Sequence, residues 1–188
     1  MTALVERNPK RAERLRDLLW EDTGAGTKLK VYALLDAARG REVYEVVRYF
    51  SAEHHCLFRG ELTPSMQRAA PYLIDLNRDS EFTRDVLEMG WGDSWGVFLY
   101  APPTTVFDAL RKHLRRFLQV RDEAGRKLFF RYYDPRILRV YLPTCTPEEL
   151  QTFSGPVTRY VMESAEPQTL IRFDRAGRVL ERSFHVVG

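Results

Sequence analysis

Between residues 29 and 102 the hydrophobic pattern changes period repeatedly, and this alternation constrains the fold more than any other feature of the chain. The stretch KLKVYALLDAA contains an apolar run at residues 29–35, of strand length and bounded by glycines, which predicts a central strand ending at Asp36. REVYEVVRYF, residues 41–50, then spaces Val43, Val46, Val47 and Phe50 as a helical face, and HHCLFRG follows as a short strand. In TPSMQRAAPYLIDL, Thr63 is placed to cap a helix that Pro64 opens and Pro71 closes, after which YLIDL is extended. SEFTRDVLEMG repeats the helix, with Ser80 as N-cap and Gly90 as stop, and GVFLYAP supplies the next strand. Strand, helix and strand in succession predict an α/β fold: a mixed, mostly parallel sheet with helices on its faces.

The later chain reads differently. TTVFDALRKHLRRFLQ is the clearest helix, gathering Val106, Phe107, Leu110, Leu114, Phe117 and Leu118 on one side, with Arg111, Lys112, Arg115 and Arg116 elsewhere and His113 at the boundary. VRDEAGRKLFFRYYD is a hairpin turning at residues 122–125, its second strand carrying FRYYD. In that strand, period-two alternation puts Arg131 and Tyr133 on one side and Phe130, Tyr132 and Asp134 on the other. Pro135 opens a helix, PRILRVYL, for which Asp134 is the N-cap; Arg136 and Arg139 share a face, leaving Ile137, Leu138 and Val140 toward the core. TPEELQTFSGP is a further helix with a Thr cap, and the tail reads as antiparallel strands with a turn at residues 174–177. At the other end, PKRAERLRDLLW is a peripheral helix carrying Leu15, Leu18 and Leu19, stopped by TGAG. The organisation expected is one domain over 1–188: an N-terminal helical segment within 1–26, a core over 30–153 and C-terminal strands over 154–188.

Charge is segregated. Residues 111–139 hold ten Lys and Arg against Asp122, Glu123 and Asp134, so this segment is strongly basic although the whole chain is only +3. Such a surface attracts nucleic acid, phosphate or an acidic protein. The only cysteines, Cys56 and Cys145, give neither a disulfide framework nor a zinc pattern, and His54 and His55, being adjacent, face opposite ways on a strand. There is no GxGxxG, Walker loop, GxSxG or HExxH, so no cofactor and no metal is expected. No stretch has the apolar length of a signal peptide or membrane span, and a cytoplasmic location is expected.

These residues bear on three functional classes. A hydrolytic site would need His113, Asp134 and Asp36 to converge, which no motif indicates; a boundary histidine satisfied by a local partner is the plainer reading of His113. A nucleic-acid-binding module would use the basic 111–139 segment, but Phe107, Phe117 and most aromatics of residues 129–133 are needed inside the protein. A protein-docking surface would use Arg115, Arg116, Arg131, Arg136 and Arg139, with His113 and Asp134 organising the region.

The motifs YALLDAA (32–38), LFRGEL (57–62), APYL (70–73), GWGDSWGVFLYAP (90–102), HLRRFLQV (113–120) and FRYYDPRILRVYLP (130–143) together resemble the type VI secretion effector chaperone family. These are adaptors typically encoded between a VgrG spike and its toxic effector. The resemblance covers residues 30–153, and HLRRF followed by FRYYDPR is its most specific part. It implies a non-enzymatic bacterial cytoplasmic protein whose partners are a cognate effector and a VgrG spike.

Overall fold

A computed structural model describes residues 8–21, 29–50, 53–122, 124–166 and 168–188; the turn expected at TGAG lies outside them. The first helix, α1 (Pro9–Leu19), opens on Pro9 with the Asn8 side chain accepting from Arg11 N–H. It is less peripheral than expected: Leu15 and Leu19 are buried, and the Leu19 carbonyl accepts from the Tyr100 hydroxyl at 2.7 Å. Strand β1 (Lys30–Asp36) ends at the anticipated carboxylate, whose side chain caps a short 3-10 turn at Ala37–Arg39. Then follow α2 (Arg41–Phe50), β2 (His54–Cys56), α3 (Pro64–Gln67), β3 (Pro71–Asp75), α4 (Glu81–Gly90) and β4 (Gly96–Ala101).

The sheet directions overturn the mostly parallel arrangement. Seven strands lie in the order β2-β3-β1-β4-β7-β8-β9, and each neighbouring pair is antiparallel; β7 is Arg159–Glu163, β8 Thr169–Ala176 and β9 Val179–Val186. The helical crossovers do return the chain in its original direction, as the alternation required. Each one, however, skips a position. β1 and β2 run parallel with β3 between them, and β3 and β4 run parallel with β1 between them. This is the split βαββαβ arrangement, with α3 inserted between β2 and β3. An adjacent crossover and one that leaves a gap have the same hydrophobic periods, so the pattern carries no information about which occurs.

Alternation along the strands feeds two cores. Val31, Ala33, Leu35, Tyr72, Ile74, Phe98 and Tyr100 meet α1, α2 and α4 on one face. Tyr32, Leu34, Leu73, Val97, Leu99, Tyr160 and Met162 meet the other face's helices, which are α5 (Phe107–Arg115), α6 (Pro135–Tyr141) and α7 (Pro147–Ser154). The result is a three-layer arrangement in which the central strands are apolar on both sides. His54 and His55 do split between these faces, one ring against Tyr72 and the other against Phe107.

Where β1 and β4 pair, Leu35 sits opposite Gly96, and a Cβ on Gly96 would lie 2.2 Å from the Leu34 carbonyl oxygen. Backbone cannot swing aside as a side chain does. Gly96→Ala is therefore expected to destabilise the fold by about 2 kcal/mol, seen as a lower midpoint in chemical denaturation with an unchanged slope.

Candidate functional site

The hairpin forms a separate two-stranded sheet, β5 (Gln119–Arg121) with β6 (Lys127–Phe129), but it stops earlier than its sequence pattern predicts. Residues 130–134 are a turn, not strand. Tyr132 and Tyr133 consequently point inward together instead of alternating; the Tyr132 hydroxyl donates to the Leu114 carbonyl at 2.8 Å, and its ring meets Phe153 edge-on. Core packing outweighs strand propensity here. Three apolar assignments also fail: Val106 and Val140 are exposed, and Ile137 is marginally so, because Val106 is the N-cap that precedes α5 and, of the three apolar side chains expected inward on α6, Leu138 is the one buried.

The turn directs FRYYDPR at the carboxyl end of β1. Arg131 pairs with Asp36, whose carboxylate is fully buried and also accepts from Ala38 N–H at 3.0 Å. Burial pushes the Asp36 carboxyl up even though Arg131 opposes it, and the same contact raises Arg131. Asp134 caps α6 as the Asp-Pro sequence predicts, accepting from Arg136 N–H, and holds the Arg136 guanidinium in a fork of 2.6 to 3.2 Å bonds. Burial works against ionisation of this carboxyl, but the bonds from Arg136 prevail and hold it below its ordinary value. Arg139 donates to the carbonyls of Glu163 and Ser164, while the Glu163 carboxylate, at the end of β7, accepts from Ser94 N–H at 3.1 Å. Arg39 closes the group from the loop after β1 with two bonds to the Asp93 carbonyl. This end of the sheet is a polar clamp that fixes α6 and the 91–95 loop to β1 and β7.

Arg115 also works inward. Its guanidinium donates to the carbonyls of Cys56, Leu57 and Phe58 at 2.8 to 3.1 Å, fastening the segment after β2 to α5. His113 meets the Phe153 carbonyl at 2.8 Å and packs edge-on against Phe117, with burial lowering its pKa. Among the described residues it shares no partner with Asp36 or Asp134: the acids belong to the polar clamp and the histidine to the α5–α7 contact, and these contacts do not join the three groups. Among the described residues no group of three or more His, Cys, Asp or Glu could hold a metal ion.

Of the arginines singled out by sequence, Arg116 has its guanidinium over an aromatic face, 5.8 Å from the Phe117 centroid, and has no carboxylate or carbonyl bond among the described residues. It lines a groove of about 510 Å³ with Arg115, Arg59, Phe58, Met66 and Phe129. The groove runs between the segment after β2, α3 and the hairpin. One wall is the hairpin itself, where Val120 opposes Leu128 on one face and Gln119 opposes Phe129 on the other. All three apolar side chains are exposed, Phe129 by 66%. Sequence analysis missed Phe58, Met66, Leu128 and Phe129 as surface groups. The sequence carried no signal for them, because the strand pattern runs on through residue 133; it is in the structure that the hairpin proves to be two three-residue strands, too short to cover their own apolar faces.

A family described as a domain of unknown function (DUF4123) matches residues 31–152. No curated protein and no solved structure matches the chain. The chain belongs to the DUF4123 family, which is associated with adaptors of type VI secretion effectors.

Proposed function

We propose that this member of the family is a non-catalytic adaptor of the bacterial cytoplasm that binds one cognate type VI effector and helps load it onto a VgrG spike. The observation that carries this reading is the groove beside the β5–β6 hairpin, where Phe129 stands exposed in one wall with Met66, Arg59 and Arg116. Exposed aromatics flanked by arginines are what protein interfaces use to anchor a partner, and the cations select an acidic rim on it.

The basic 111–139 segment offers nucleic acid much less than its composition promised. Arg111 and Lys112 share Asp108, Arg126 takes Asp122, Arg131 takes Asp36 and Arg136 takes Asp134. A track of free cations for successive phosphates is missing among the described residues. Among these residues, too, no helix is long and apolar enough to cross a membrane.

Co-expression with the protein encoded by the adjacent gene, followed by size-exclusion chromatography at low and high salt, tests the proposal. A co-eluting complex that survives high salt with some loss of affinity is expected, since the anchors are apolar and the rim is charged. Separate elution of two folded proteins at both salt concentrations would overturn it.

A further inference from the structure

Among the described residues the last strand, β9, is the outer edge of the seven-stranded sheet, eight residues long and without a proline, whereas the opposite edge, β2, has only three residues. A long edge with one side of its backbone unpaired is a template for another strand. Its side chains say which strand. On one face Leu180, Arg182, Phe184 and Val186 continue the row of Ile171 and Phe173, and Phe184 and Val186 are exposed. On the other face stand Glu181, Ser183 and His185, with the Ser183 hydroxyl 3.1 Å from His185 Nε2. Glu181 lies opposite Asp174 in the β8–β9 register and has no ion pair among the described residues; Asp174 is already held by Arg159 and Arg172.

We propose that β9 pairs antiparallel with β9 of a second copy of this chain about a two-fold axis at Ser183, joining two sheets into one. A two-fold axis normal to the sheet keeps each residue on its own face, so opposed residues must have the same parity and the axis must pass through a residue position. Centred on Ser183, each opposition is complementary. Leu180 meets Val186 of the second copy, Arg182 meets Phe184, and Glu181 meets His185, each contact occurring twice by symmetry. Arg182 already lies over the Phe184 ring within its own strand, 5.3 Å from the centroid, so the pair across the axis extends an existing cation–π contact. The neighbouring registers are discordant. Centring on Arg182 or on Glu181 sets like charges face to face, and centring on Phe184 sets Arg182 against Val186 and Glu181 against Val187. Charge and apolar pattern therefore select one register and one occupant, independently of what the hairpin groove binds.

Cysteine cross-linking of the full chain tests this. Opposed antiparallel residues have Cα atoms about 4.5–5.5 Å apart, within disulfide reach, while residues one step off the axis are beyond it. S183C is expected to form a covalent dimer under mild oxidation, and R182C and the parent chain, with its half-buried Cys56 and Cys145, are not. A mixture of R182C with F184C should cross-link where each alone does not. In sedimentation equilibrium the parent should dimerise with concentration, and F184K should raise the dissociation constant about tenfold by removing both Arg–Phe pairs. A parent chain that stays monomeric while S183C cross-links no faster than R182C overturns the proposal, as does an edge that pairs only with a strand of the co-expressed effector.

Discussion

Replacing Arg131 with Met is expected to cost about 3–5 kcal/mol of folding stability at neutral pH, because it strands the Asp36 carboxylate in a site with no access to water. Arg131 itself is partly exposed, so the loss of its own packing is the smaller part. The pH dependence has a definite sign. Burial already holds the Asp36 carboxyl above its ordinary range with Arg131 in place, and removing the guanidinium drives it higher. The folded variant then takes up a proton that the unfolded chain releases, so the deficit is greatest at high pH and shrinks as pH falls. Adding Asp36→Asn to the variant should recover most of the stability, since Asn keeps the acceptor for Ala38 N–H without the charge. A double-mutant cycle in urea measures this, and additive losses would show that the two groups do not act as a pair.

Glu163 makes the second large prediction, with its own pH window. Its carboxyl is pushed up to about 7 by burial, with Asp93 adding to the shift and the Gly92 and Ser94 amides and Arg139 opposing it. Between its ordinary value of 4.5 and about 7 the folded protein retains a proton that the unfolded chain has lost. Stability should therefore fall as pH rises through that window and level off above it. The total is at most about 3 kcal/mol, the shift converted at 1.36 kcal/mol per unit. Glu163→Gln retains an oxygen for Ser94 N–H but cannot titrate, so this variant should match the parent near pH 4.5 and exceed it at pH 8. Parallel stability profiles for the two proteins would remove Glu163 as the source.

The contrast between Asp134 and Asp36 shows how far sequence reaches. Asp134 acts on residues beside it, capping α6 and holding Arg136 two positions on, so the Asp-Pro-Arg order alone predicts its cap. Asp36 is legible as a strand end, but its partner lies 95 residues away and no local pattern couples them. Glu163 is the same kind of case, since its acceptor role depends on the 91–95 loop folding back across β7. The strands and helices of residues 29–102 are legible because their periods differ, whereas the antiparallel directions depend on crossovers that skip a strand. In the basic 111–139 segment, the arginines that composition brings forward mostly turn to the protein's own groups: Arg115 and Arg139 to carbonyls, Arg131 and Arg136 to carboxylates. The exposed apolar groups Leu128 and Phe129 come from a hairpin too short to bury them.

An adaptor that grips its partner through that hairpin should be sensitive to Phe129, whose side chain contributes little to the protein's own core. The decisive measurement is the affinity of the purified chain for the protein encoded by the adjacent gene, by calorimetry, for the parent and for Phe129→Glu with its thermal stability verified. A loss of about 100-fold, the scale of an interface anchor replaced by a charge, is the result expected. Binding unchanged within about twofold, less than 0.5 kcal/mol, would contradict the assignment of the groove as the effector-docking surface.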